Sequence, residues 1–264
     1  MLTSVRSLLA ATTLAGAVCL SGTAMAQVVN PAEEVEDGSS SGIEISANVA
    51  LVSDYRFRGV SLSDGEFAIQ GGIDLSLPAG IYVGAWASSL DEDTVGYGST
   101  ELDIYAGWGA EFGNISTDIG VIAYLYPNAG DGLDLTPEED QFDYFEAYAS
   151  GSFALGPAEA TLGVAYAPEQ DSLGGDDNLY LYTDLGVGIP GTPVTVSLHL
   201  GFTDGFLTFT EDGEALDYSV GLEAAIAGPV SIGVAYVGVE GDGLLDPDGT
   251  FTDDGVVITL SASF

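Results

Sequence analysis

The chain has 264 residues, of which 41 are Asp or Glu and only 3 are Lys or Arg, giving a formal net charge of −38. Nucleic acid is excluded as a partner, because there is no basic surface to neutralise phosphates. Disorder is excluded as well, since 46% of residues are hydrophobic and 17% are charged, and a single cysteine, Cys19, leaves no disulfide framework.

Residues 1–26 read as a cleaved export signal. Arg6 supplies the positive charge, residues 8–20 are apolar, and Ala24-Met25-Ala26 fits the small-residue rule for signal-peptidase cleavage. A lipoprotein is the competing reading, because Cys19 lies inside the apolar run, but Val18 stands where a lipobox requires Gly, Ala or Ser. Residues 27–42, rich in Glu, Ser and Gly, read as a flexible periplasmic lead. No later apolar run reaches the ~20 residues of a helical span. The remaining structure that satisfies every backbone hydrogen bond in lipid is a closed barrel.

Residues 43–264 predict such a barrel: all-β, closed, antiparallel, up-and-down and transmembrane, with about twelve strands, an even number as single-chain bacterial barrels have. Period-two apolarity places the strands at 43–58, 66–77, 80–89, 100–112, 115–126, 141–155, 158–167, 178–189, 193–203, 215–227, 229–239 and 255–264. The connectors alternate between two classes. Pro78-Ala79-Gly80, Gly113-Asn114, Gly156-Pro157, Pro190-Gly191-Thr192 and Gly228-Pro229 are tight turns. The others, near 59–65, 90–99, 127–140, 168–177, 204–214 and 240–254, are longer and acidic. Short turns facing the periplasm and long loops facing outward are the asymmetry of Gram-negative outer-membrane barrels. A soluble β-sandwich also alternates, but it gives no reason for two alternating loop classes.

Alternation assigns the faces. Leu162, Val164 and Tyr166 face lipid while Glu159, Thr161 and Gly163 face the lumen; likewise Leu198 and Leu200 oppose Ser197, His199 and Gly201. In the final strand Val256, Ile258, Leu260, Ala262 and Phe264 face lipid, which makes Phe264 a membrane anchor at the periplasmic interface and an assembly signal read by the barrel-assembly machinery. Tyr55, Tyr126, Tyr166 and Tyr236 fall near the opposite rim.

The predicted lumen is one-sided in charge. Asp74, Glu101, Asp103, Glu111, Asp118, Glu146, Asp184, Asp217 and Glu223 point inward with His199, and only Arg56 and Arg58, at the outer end of the first strand, oppose them. The two arginines either pair with wall carboxylates and fasten the strand end or form a constriction charge that screens solutes by sign. An open pore with this wall prefers cations or neutral solutes. Inward Gly, Ala and Ser argue for some open space, although twelve strands leave only a narrow path or a plugged one.

The run Val52-Ser53-Asp54-Tyr55-Arg56-Phe57-Arg58-Gly59-Val60-Ser61, with Ser63-Asp64-Gly65, Gln70-Gly71-Gly72-Ile73-Asp74 and the segment 80–89, resembles the start of the TorF family of proteobacterial porins. The resemblance extends from about Val49 to Phe264 and is specific in the first three strands; beyond them it rests on strand rhythm, including Glu101-Leu102-Asp103-Ile104-Tyr105-Ala106-Gly107-Trp108. It implies an outer-membrane porin and brings no substrate, cofactor or catalytic residue.

Two alternatives belong to other classes. A barrel enzyme would need a partner for His199, and Ser197 lies two residues along the same face, too far for a dependable direct hydrogen bond; Glu223 or Ser219 on the tenth strand could supply one. A non-conducting surface barrel would use its acidic loops instead. Asp131, Asp134, Glu138, Glu139 and Asp140, then Asp171, Asp176 and Asp177, then Asp242, Asp246, Asp248, Asp253 and Asp254 offer oxygens suited to divalent cations, which could bridge the loops to lipopolysaccharide in the surrounding lipid. None has EF-hand spacing, so no metal site is assigned.

Overall fold

The computed structural model describes residues 42–94, 96–129, 142–243, 246 and 251–264. The export signal at 1–26 and the lead as far as residue 41 lie outside the described residues.

In chain order the strands are β1 (Glu44–Val52), β2 (Arg56–Phe57), β3 (Val60–Ser61), β4 (Ala68–Ser76), β5 (Ile81–Ser89), β6 (Thr100–Phe112), β7 (Ile115–Leu125), β8 (Tyr144–Leu155), β9 (Ala158–Ala167), β10 (Asn178–Gly188), β11 (Val194–Gly205), β12 (Glu214–Ala227), β13 (Val230–Glu240) and β14 (Gly255–Ser263). All except β2 and β3 form one closed antiparallel barrel of twelve strands, each paired with its neighbours in sequence. The seam joins β14 to β1, from Asn48 opposite Ser263 to Val52 opposite Thr259. Ala47 and Phe264 extend it by exchanging two backbone hydrogen bonds of 3.1 and 2.8 Å. Closure leaves no sheet edge, so every strand satisfies both of its ladders.

The two faces sort as the alternation predicts. Leu162, Leu198, Leu200, Val256, Ile258 and Leu260 are exposed on the outside, and Phe264 with them, whereas Ser197, His199, Val257 and Thr259 are buried inside. Apolar side chains outward and carboxylates inward invert the order of a soluble protein; lipid is the solvent that stabilises such a surface. The short turns fall where Gly113, Gly156, Gly191 and Gly228 stand, each with positive φ, a conformation glycine adopts without a Cβ clash.

The largest departure from the predicted strands is at the first. β1 stops at Val52 instead of running to residue 58. Local side-chain bonds draw the backbone away from the ladder: the Asp54 carboxylate accepts from Ser61 Oγ at 2.6 Å and Arg56 Nε at 2.6 Å, and Ser63 Oγ accepts from the Tyr55 N–H at 2.8 Å. Such bonds compete with sheet pairing. The chain then reverses between β2 and β3 through Arg58 (φ 47°) and Gly59 (φ 83°), two left-handed residues as a two-residue primed hairpin turn requires. Tyr55, Arg56, Arg58, Val60, Leu62 and Ser63 are all buried, so this ribbon packs into the barrel.

A Cβ on Gly59 would meet the Gly238 carbonyl oxygen at 2.6 Å and the Val239 Cβ at 2.8 Å, in a backbone conformation that already disfavours side chains. Gly59→Ala is expected to cost about 2–3 kcal/mol, from left-handed strain plus overpacking. Denaturant unfolding of the refolded barrel in micelles checks it, and a loss below about 0.5 kcal/mol would show that the ribbon is seated loosely.

Five inward glycines do not leave the open space expected of them, although Gly186 does. Gly84 and Gly107 lie under the rings of Tyr105 and Tyr82, Gly120 under Tyr148, Gly163 under Tyr182 and Gly201 under Tyr180; a Cβ at any of these would strike the phenol. Tyrosines therefore fold sideways across the neighbouring strand, and the glycines are their seats. Tyr55 and Tyr126, expected at the outer rim, are also buried inside, while Tyr166 and Tyr236 are exposed on the outer surface.

Candidate functional site

Successive strand pairs shift in register, and following that shift around the barrel groups the inward carboxylates at two depths. Nearer the short-turn rim, Asp74 of β4, Asp118 of β7, Asp184 of β10 and Glu223 of β12 lie at nearly one height, spread around the wall. Glu101 and Asp103 of β6, Glu146 of β8 and Asp217 of β12 lie further toward the long loops. Glu111 is exposed near the short-turn rim.

The lower belt is tied to tyrosines. Tyr105 Oη donates to Asp74 at 2.6 Å, and Tyr82 Oη reaches both oxygens of Asp118 at 2.8 and 3.0 Å while contacting the Tyr148 hydroxyl. Glu223 has Ser231 as its hydrogen-bond partner. The Asp184 side chain is 40% exposed, the clearest sign that this end of the lumen is open to water.

Above the belt the lumen is shut. Val52, Ala68, Ser88, Asp103, Ile122, Glu146, Ala165, Tyr180, Gly201, Ser219, Ala235 and Val257, one inward residue from each barrel strand in turn, are all buried. The inserted ribbon supplies the missing volume. Arg58 Nη2 donates to Glu146 at 2.8 and 2.7 Å, and its guanidinium lies 4.2 Å from the Tyr180 ring centroid and 4.8 Å from that of Phe57. Burial opposes the charge on Arg58, but Glu146 together with the phenols of Tyr124, Tyr144 and Tyr180 outweighs it and holds the pKa above the ordinary value. Tyr55 Oη reaches Glu101 at 3.1 Å; burial, reinforced by the Glu101 and Asp103 charges, pushes its phenol well above the usual range and keeps it a donor. Arg56 stays within the outer loops, pairing with Asp54 and donating to the Gly59 and Asp253 carbonyl oxygens at 3.0 and 2.6 Å. Ser61 N–H donates to the Phe251 carbonyl at 2.7 Å, which ties the ribbon to the segment leading into β14.

His199 bridges the two depths. Its Nδ1 lies 2.6 Å from Asp184 and its Nε2 2.9 Å from Asp217, with the Tyr180 hydroxyl also 2.9 Å from Nε2. The partners considered from sequence, Ser219 and Glu223, are not the ones it takes. Among the described residues Ser197 Oγ has no hydrogen-bond partner, so His199 and Ser197 do not form the Ser–His pair that a hydrolase needs.

Of the loop carboxylates, Asp131, Asp134, Glu138, Glu139, Asp140 and Asp248 lie outside the described residues. Asp177 accepts from Tyr166 at 2.8 Å, Asp254 from Tyr218 and Tyr236 at 2.9 and 2.6 Å, and Asp246 from the Phe251 and Thr252 N–H groups at 2.8 and 3.1 Å. Among the described residues no three His, Cys, Asp or Glu side chains gather around a metal position.

The tyrosines are what residue-by-residue reasoning missed. A signal was present: Tyr144, Glu146 and Tyr148, and again Tyr180, Tyr182 and Asp184, occupy successive inward positions of single strands, so phenol and carboxylate were bound to meet across neighbouring strands.

Among solved structures the chain is similar to the NanC porin, with 9% identity, 84% of this chain and 99% of that chain covered, and a TM-score of 0.55. It also aligns with OccAB2 of Acinetobacter baumannii (7% identity, 86% and 66% covered, TM-score 0.47) and with OpdK of Pseudomonas aeruginosa solved with vanillate (13%, 86% and 67%, TM-score 0.41). At such identities the likeness is one of fold. The NanC likeness supports the architectural part of the TorF resemblance, a closed antiparallel barrel, and not that family specifically. No curated protein matches the chain. A family match does cover the lead's end and the whole barrel, residues 36–264, and the chain belongs to that family, described as "Bacterial protein of unknown function (Gcw_chp)".

Proposed function

We propose that the chain is an outer-membrane channel of porin type, as its TorF resemblance also suggests, that it passes small cations and neutral solutes, and that the conformation described is its closed state. The observation that carries this reading is the acidic lower belt: Asp74, Asp118, Asp184 and Glu223 face the lumen, and of these only Asp184 has a basic partner among the described residues, His199, while the inserted cation, Arg58, is already paired with Glu146. A ring of carboxylates in a low-dielectric wall raises local cation concentration and repels anions. The outer-membrane setting, the export signal at 1–26, contact with lipid and lipopolysaccharide, divalent ions at the loops and recruitment of the assembly machinery through the strand ending at Phe264 belong to the same reading.

The test is a reversal potential in planar bilayers under a potassium chloride gradient. The expected sign is that of cation preference, and the double replacement Asp74→Asn with Asp118→Asn is expected to bring it toward zero. Anion preference in the unaltered protein would refute the proposal. The buried ring of inward residues favours a second reading, a non-conducting structural barrel, and absence of any current would establish that one instead.

A further inference from the structure

At the level where the lumen is shut, the barrel wall already holds a guanidinium, and that guanidinium belongs to the inserted ribbon. Arg58 stands at the ribbon's turn with φ 47°, a left-handed conformation that a residue with a Cβ adopts only at a cost. The groups that receive it on the far side belong to the wall: Glu146 of β8 accepts from it, and the Tyr180 ring of β10 lies flat against it at 4.2 Å. These groups take their positions from the wall itself. The Tyr180 hydroxyl meets Asp217 at 3.2 Å and His199 at 2.9 Å, and Glu146 accepts from the Tyr124 hydroxyl at 3.2 Å. Tyr124 in turn stacks on Tyr144, with ring centroids 4.5 Å apart. A carboxylate beside an aromatic face is thus preformed on β7, β8 and β10, and that pairing suits a planar, delocalised cation.

Arg58 fills this cradle poorly. The strong mode of a guanidinium on a carboxylate is a fork, with two nitrogens set on two oxygens. Here a single nitrogen, Nη2, serves both oxygens of Glu146 at 2.8 and 2.7 Å, while Nε and Nη1 are buried without a hydrogen-bond partner among the described residues. The tether to the ribbon fixes that angle, whereas a free guanidinium can turn and form the fork. We propose that the cradle of Glu146, Tyr180 and Tyr124 is a binding site for a guanidinium-bearing solute, and that Arg58 is the built-in occupant which such a solute replaces. This rests on the cation-channel reading and deepens it by naming the class of cation. A compact ammonium ion keeps the attraction to Glu146 but lacks the flat face that stacks on Tyr180. A solute that takes Glu146 from Arg58 also unfastens the ribbon, so the event that seats the solute opens its path.

The experiment uses methylguanidinium chloride on the refolded protein in detergent, with tetramethylammonium chloride as an ion of equal charge that has no N–H to donate. Arg58→Ala empties the cradle, and methylguanidinium is expected to raise the Tm of this variant by about 4 °C at tenfold excess over its Kd, with no rise from tetramethylammonium. The unaltered protein, whose cradle Arg58 fills, is expected to gain less than about 1 °C. Adding Glu146→Gln to Arg58→Ala is expected to remove the rise, and Arg58→Gln serves where Arg58→Ala does not refold. Equal Tm in the two salts for the emptied cradle would overturn the site, as would a rise that survives Glu146→Gln. Planar bilayers separate the site from the channel reading: methylguanidinium is expected to block the potassium current of Arg58→Ala half-maximally near the Kd read from the melts. Cation-selective current with neither block nor a rise in Tm removes the site and leaves the channel; absence of current with the rise intact removes the channel and leaves a guanidinium site in a closed barrel.

Discussion

Replacing Arg58 by alanine is expected to destabilise the barrel by about 3–5 kcal/mol and to raise its conductance. The energetic part follows from burial: Arg58 is 3% and Glu146 1% exposed, and removing one partner of a buried pair leaves the other charge uncompensated. Tyr124 remains as a donor to Glu146, but at 3.2 Å it does not replace a guanidinium that spans both carboxylate oxygens. The conductance part follows from position, since Arg58 ties the tip of the β2–β3 ribbon to the far wall on β8. Denaturant unfolding in micelles and single-channel recording read the two effects. The double variant with Glu146→Ala is expected to recover part of the stability, because it removes the stranded charge, while keeping the higher conductance. Unchanged conductance in both variants would mean that the ribbon does not gate the lumen.

Replacing His199 by alanine is expected to cost about 2–4 kcal/mol. The loss concentrates on Asp217, which is 2% exposed and would keep only the Tyr180 hydroxyl at 3.2 Å; Asp184, at 40%, can turn to water. Since Tyr180 also stacks against Arg58, loosening it is expected to weaken the ribbon's seat, so His199→Ala and Arg58→Ala should be less than additive in stability. Full additivity would show that the two clusters are independent.

Most of the architecture was legible in local pattern. Strand number, the alternation of tight turns with long loops, and the lipid and lumen faces all follow from period-two chemistry and from turn residues such as Gly113 and Gly156, and each depends on neighbours in sequence. The extended first strand shows where that logic fails. Residues 53–58 alternate well enough to continue β1, but Asp54, Ser61 and Ser63 offer closer hydrogen bonds than the ladder does, and an Arg-Gly pair is a weaker hairpin signal than Asn-Gly. The tyrosine seats fail for another reason: a glycine on one strand looks like empty space until the register brings a ring from the next strand over it.

Composition and alternation by themselves determined that this chain closes a lipid-facing barrel around an acidic lumen, because those features depend on which residues are present and on which side of a strand each one points. Only the tertiary structure decided that Asp74, Asp118, Asp184 and Glu223 share one depth, that Arg58 is spent on Glu146, and that His199 joins Asp184 to Asp217. These depend on strand register and on the path of an inserted loop, and both are settled by packing between residues far apart in sequence, as Ala47 and Phe264 are at the seam.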